Sequence, residues 1–205
     1  MLAISTVTKK GYIAIEHNGE RFFSQIDADC KQSENILKEI DKILDKNGIS
    51  FTDVGNIAVV VGPGSFTGIR IGVALVKGLC AGDKNHNVIP ISTLDLMAKA
   101  YIKTNPSDNF SCVMNALSGR FFVATYDKNG KKISDEKMIY QDELSLLNTR
   151  LVVMEEEIAV LPGVQITPEL LLEYAFELEA EGRFADVNKI EPVYIRKAQA
   201  EENLD

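Results

Sequence analysis

The chain has 205 residues, enough for one large domain or two small lobes with a sizeable core. Its net charge is -8 and no run of Lys and Arg breaks that balance, which excludes an electrostatic footprint for a nucleic-acid backbone; if RNA is handled, another protein supplies the basic surface. No stretch reaches the roughly 18 apolar residues of a membrane span, MLAISTVTKK is too polar for a signal peptide, and Cys30, Cys80 and Cys112 lack CxxC spacing, so a cytoplasmic protein with reduced thiols is expected.

Leu2 to Thr6 and Tyr12 to Glu16 read as strands, and Asn18-Gly19 supplies the residues a two-residue hairpin turn prefers before a third strand at Arg21 to Ile26. Ser33 is a plausible N-cap for a helix whose apolar stripe is Ile36, Leu37, Ile40, Ile43 and Leu44, ended by Asn47-Gly48. Ile57 to Val61 is a β-branched run without alternation, as expected of a central strand covered on both faces. A Gly-Pro turn then leads into a helix from Phe66 to about Ala81. A strand at Val88 to Ile91 and a helix from Ser92 or Thr93 to about Thr104 follow, and Asn105 to Asn109 is the best boundary, dividing the chain into 1–106 and 107–205.

The pattern then restarts. Cys112 to Ala116, Arg120 to Tyr126 and Ile133 to Tyr140 read as strands, with Asn129-Gly130 at the second hairpin and a helical piece at Gln141 to Leu147. Strands at Leu151 to Met154 and Ile158 to Leu161 and a helix from Pro168 to about Glu181 complete it. A three-stranded meander followed by alternating helices and strands, twice, predicts an α/β protein of duplicated actin/Hsp70-like (ribonuclease H-like) fold in two lobes.

The stretch GPGSFTGIR invites comparison with phosphate loops, because N–H groups at a helix start favour anions. Its spacing fits neither standard form. No Lys follows Gly68, and Thr67 stands where the dinucleotide fingerprint has its third glycine. Gly62, Pro63, Gly64, Ser65, Thr67 and Gly68 therefore read as a structural turn rather than a phosphate cradle. Gly64, Gly68 and Gly72 are spaced four apart, as are Ala74, Gly78 and Gly82, so another backbone can come close. Each interior glycine costs about 1 kcal/mol against alanine, so they need a packing reason.

Catalytic constellations are thin. His17 and His86 are far apart without metal-ligand spacing, Ser65 reads as a cap rather than a nucleophile, and Glu155 to Glu157 reads as a solvated run.

With Leu2-Ala3-Ile4, GPGSFTGIRIG from Gly62 to Gly72, Lys77-Gly78-Leu79, Ile91-Ser92-Thr93-Leu94 and Pro192-Val193-Tyr194-Ile195-Arg196, the sequence resembles the TsaB (YeaZ) family. The resemblance covers the N-terminal half well and the C-terminal half, which is somewhat short against the family pattern, loosely. It implies a non-catalytic subunit that binds TsaD through helices, in an assembly with TsaE that transfers a threonylcarbamoyl group to the adenosine beside the tRNA anticodon. It also implies contact with tRNA only through the complex, no metal or cofactor of its own, and room for ATP or ADP only at the subunit junction; because an exposed apolar helix pair tends to be covered, a homodimer is expected when the partner is absent. Ile36, Leu37, Ile40, Ile69, Arg70, Val73 and Val76 are then the candidate interface, the alternative being that the aliphatic ones are core. On the interface reading, Val73→Glu or Val76→Glu breaks the complex and spares the fold. Arg70 is open between a structural role in the turn and a partner contact.

Departures from the family pattern bear on the alternative of an actin-like ATPase or phosphotransferase acting alone. Ser5 and Asn115-Ala116-Leu117 stand where relatives commonly carry an Asp and a DAR-like motif, and Gln32 stands where a His commonly precedes the Ser-Glu of the first helix. Carboxylates at the two strand ends help actin-like ATPases place the metal-nucleotide, and a positioned divalent ion needs such oxygen ligands.

Overall fold

The structure, a computed structural model, describes residues 1–27, 32–81, 86–104, 106–154 and 163–195. Cys30, Gly82, Asn105, the Glu155 to Glu157 run, the strand expected at Ile158 to Leu161 and Arg196 lie outside the described residues. The chain divides into two compact units, Met1–Leu96 with Ile166–Pro192, and Met97–Gln165 with Val193–Asp205. A division read along the sequence at 106 puts the helix that begins at Pro168 with the second half, whereas its contacts are with the first sheet.

In the first unit β1 (Leu2–Ser5) lies at the centre of the sheet. It pairs antiparallel with β2 (Gly11–His17), which pairs with β3 (Glu20–Ile26) across the Asn18-Gly19 turn, where φ is 53° and 84°. On its other side β1 pairs parallel with β4 (Ile57–Gly62), and β4 with β5 (Val88–Ser92), giving the order β3-β2-β1-β4-β5. Every residue of β1 and β4 is buried, as the unbroken apolar run of β4 requires.

Register sorts the two faces. Ile15, Leu2 and Ile57 align, as do Ile13, Ile4 and Val59, and these large side chains share one face. That face is covered by α1 (Gln32–Asn47) and α2 (Phe66–Leu79): Ser24, opposite Ile13, donates to Glu39 Oε1 at 3.0 Å, and Val59 lies against Gly72. On the other face Ala14, Ala3 and Ala58 align, and α4 (Pro168–Ala180) packs there, with Phe176 beneath the guanidinium of Arg21. Three alanines in register let a helix approach where larger side chains would hold it off. Thr167 caps α4 by accepting from Leu170 N at 3.2 Å, with Pro168 at its start.

Ile36 and Ile40 of α1 are buried in this layer. Ile40→Ala is expected to cost about 2–5 kcal/mol, the range for emptying a buried aliphatic site, read as a lower denaturation midpoint with unchanged cooperativity. On α4, burial is the main force holding the Tyr174 hydroxyl protonated well above its ordinary range, and the Asp95 carboxylate adds to it. The unfolded chain releases this proton near its ordinary value of about 10, whereas the folded chain keeps it. Stability present below that pH is therefore lost as pH rises beyond it, and a Tyr174→Phe variant should show a shallower loss in alkaline denaturation.

The second unit repeats the topology. β6 (Phe110–Asn115) pairs antiparallel with β7 (Arg120–Tyr126), which pairs with β8 (Lys137–Tyr140), while β9 (Arg150–Met154) and β10 (Gly163–Val164) follow in parallel on the other side. The order β10-β9-β6-β7-β8 is that of the first sheet, strand for strand, and meets the expectation of a duplicated actin-like fold. β8 is shorter than the strand expected from Ile133. Ile133 and Ser134 both donate to Thr125 O, at 2.8 and 3.3 Å, so pairing is interrupted there and Ile133 is left exposed. Val113, Val123, Ile139 and Val153 form the core of one face, closed by Leu144 and Leu147 of the 3-10 turn Gln141–Leu147. The helix α3 (Thr93–Ile102) ends with Tyr101 packed edge-on to Phe110, which stacks on Tyr126.

Candidate partner surface

The glycine turn is held by its own chain. Gly62 has φ 116°, a conformation that disfavours any residue with a Cβ, and the Gly62-Pro63 bond is cis. Ser65 N donates to Val7 O at 2.9 Å, and Ser65 Oγ accepts from Gly68 N at 3.2 Å, capping α2. The N–H groups of Ser65 and Gly68 are thus both spent within the chain. Ser65 therefore acts here as a cap.

The three glycines four apart face the segment that leaves β1. A Cβ on Gly64 would lie 2.7 Å from Val7 O, one on Gly72 would lie 2.7 Å from Thr6 Oγ1, and one on Gly68 would overlap the Thr6 carbonyl oxygen. Thr6 itself, wholly buried, donates from Oγ1 to Gly68 O at 2.6 Å. The backbone for which this stripe makes room is thus the chain's own. The second stripe differs: Ala74 and Gly78 are exposed, and a Cβ on Gly78 would meet nothing within 4 Å.

The candidate interface residues separate into two groups. Ile36, Ile40, Ile69, Val73 and Val76 are each 5% exposed or less, so they are core of the first unit and offer no free area to a partner. This corrects the expectation for those five. The amphipathic period alone does not say which side of an almost wholly apolar helix meets the sheet. Leu37 is 42% exposed, and Arg70 is exposed with its guanidinium 3.9 Å over the ring of Phe66, itself 38% exposed. The outward face of α2 runs Phe66, Thr67, Arg70, Ala74 and Gly78, and α1 packs against α2. Phe66 is the residue that sequence reasoning passed over; its place at the first helical position, one turn before Arg70, was the available signal.

At the strand ends, the Ser5 side chain is 1% exposed and its hydroxyl has no hydrogen-bond partner among the described residues. Asn115 is exposed, and its Oδ1 accepts from Leu117 N at 2.8 Å in a turn whose Leu117, Ser118 and Gly119 all have positive φ. Asn115 thus orders its own loop. Among the described residues no cluster of three His, Cys, Asp or Glu could hold a metal ion, and no helix is long and apolar enough to cross a membrane.

Residues 23–160 match the family described as TsaD: tRNA N6-adenosine threonylcarbamoyltransferase. The chain is similar to the tRNA threonylcarbamoyladenosine biosynthesis protein TsaB of Escherichia coli, 28% identical over 100% of this chain and 97% of that one. Its similarity to the TsaB of Haemophilus influenzae is 34% identity over 60% of this chain and 52% of the relative. Among solved structures, YeaZ from Pseudomonas aeruginosa superposes with a TM-score of 0.76 at 22% identity, covering 94% of this chain and 98% of that one. A second structure from that organism, described as similar to peptidase YeaZ, gives 0.79 at 21% identity over 95% and 98%.

Proposed function

The chain belongs to the TsaD-domain family, as a TsaB (YeaZ) member of it, and from that premise we propose that it serves tRNA threonylcarbamoyladenosine biosynthesis as the non-catalytic subunit that binds TsaD. The observation that carries the reading is the divided character of α2. One side is sunk to the level of its glycines against Thr6 and Val7, and the other side presents Phe66, Arg70 and Ala74 outward. An aromatic ring carrying a stacked guanidinium is the kind of anchor that dominates interfaces, and the small residues that follow admit a partner helix.

The non-catalytic part of the proposal draws support from the same region. The space past the end of β1 is occupied by the backbone of α2, and Ser5 and Asn115 stand where a metal-nucleotide would want carboxylates. In the assembly TsaD carries the transfer chemistry and TsaE joins it; without the partner the same helices pair two copies of this chain. The test is co-purification of the chain with the TsaD of its own source, together with an ATP hydrolysis assay on each protein and on the mixture. Complex formation, with turnover absent from this chain alone, is the expected result. Magnesium-dependent turnover by the isolated chain would favour an independent ATPase instead.

A further inference from the structure

We infer that Thr6 is a positioning residue for the partner surface, a peg that fixes the rotation of α2 and so the direction in which Phe66 and Arg70 point. The inference rests on the TsaD-binding reading above and deepens it. Thr6 lies just past β1 and is wholly buried. Its hydroxyl donates to Gly68 O at 2.6 Å and occupies the space that a Cβ on Gly72 would need. The peg therefore enters a notch bounded by two glycines one helical turn apart, with Ser65 N donating to Val7 O at the adjacent residue.

A helix packed on a sheet through aliphatic side chains alone can settle at more than one rotation, because dispersion and burial are not directional. The notch removes that freedom. Turning α2 by one residue would bring Ile69 or Val73 onto Thr6 in place of Gly68 or Gly72, and the hydroxyl would lose its acceptor. Since Phe66, Arg70 and Ala74 lie on the side of the same helix turned away from Thr6, their direction follows from this contact. Removing the hydroxyl at constant shape leaves Gly68 O without its side-chain donor and removes a directional bond between Thr6 and the helix body.

The test compares Thr6→Val, Thr6→Ser and Ile15→Val, the last being a buried substitution on β2 opposite Leu2, four residues along the chain from Thr6, that lowers stability without altering the Thr6 notch. Affinity for the TsaD of the same source is measured at a temperature where all variants are fully folded by circular dichroism, and amide hydrogen exchange is followed in the free proteins. Thr6→Val is expected to weaken binding by about tenfold or more and to raise exchange in the first turns of α2. Thr6→Ser should restore both, and Ile15→Val should leave both unchanged. Unaltered affinity in Thr6→Val, or an equal loss in Ile15→Val, would overturn the inference, as would unaltered exchange in the first turns of α2. Failure of the unsubstituted chain to bind would instead count against the TsaD-binding reading, and the exchange result then decides the role of Thr6 by itself.

Discussion

Gly68→Ala is expected to abolish or severely reduce folding of the first unit, because its new methyl would overlap the carbonyl oxygen of Thr6. Backbone cannot yield as the end of a flexible side chain can. The cost should lie at or above about 3 kcal/mol, the upper part of the range for overpacking, and a large share of the stability of an ordinary domain. Gly72→Ala meets a hydroxyl at 2.7 Å, which can rotate at the expense of its bond to Gly68 O, so a loss of about 1–3 kcal/mol is expected. Gly78→Ala has open space and should stabilise α2 by roughly 0.5–1 kcal/mol through helix propensity. Urea denaturation of the three variants checks the order. If Gly68→Ala were as stable as the unsubstituted chain, the packing of α2 on the β1 segment would be wrong.

The second large effect concerns partner binding. Ala74→Glu is expected to weaken binding to TsaD by about tenfold to a hundredfold, roughly 1.4–3 kcal/mol, because a long charged side chain would stand in the middle of the proposed contact. Phe66→Ala, which removes the ring beneath Arg70, should act in the same direction. Neither should move the denaturation midpoint by more than about 1 kcal/mol, since both side chains are exposed. Titration calorimetry beside a denaturation curve separates the two effects. Full affinity in both variants would remove α2 from the interface. Val73→Glu and Val76→Glu are poor probes of the surface despite their appeal on the helical period. At 5% and 1% exposure they bury an unpaired charge and report on folding alone.

Much of the fold was legible in the chain because its signals are local. Asn18-Gly19 demanded a tight hairpin, the β-branched run Ile57 to Val61 demanded a strand covered on both faces, and the recurrence of the meander exposed the duplication that the two matching sheet orders bear out. The interruption at Ile133 and Ser134 was hidden, since it depends on which residues compete for the single carbonyl of Thr125. The packing of α4 was hidden too. Nothing in PELLLEYAFELEA says that its partner is a face of alanines on strands far earlier in the chain.

For the candidate site, the sequence by itself determined that the turn at Gly62 to Gly68 departs from phosphate-loop spacing and that glycines four apart call for a close approach, while its resemblance to the TsaB family marked Ser5 and Asn115 as places where carboxylates are common. Only the tertiary structure decided what approaches. It is the chain's own Thr6 and Val7, so the inner side of α2 is used up within the unit and Ile69, Val73 and Val76 go with it. Helical period distinguishes one side from another when hydrophobicity differs around the circumference, and α2 is apolar almost all round. Which side faces out was set by steric fit against the segment that leaves β1, a contact between residues about 60 apart in sequence, and that fit leaves Phe66, Arg70 and Ala74 exposed.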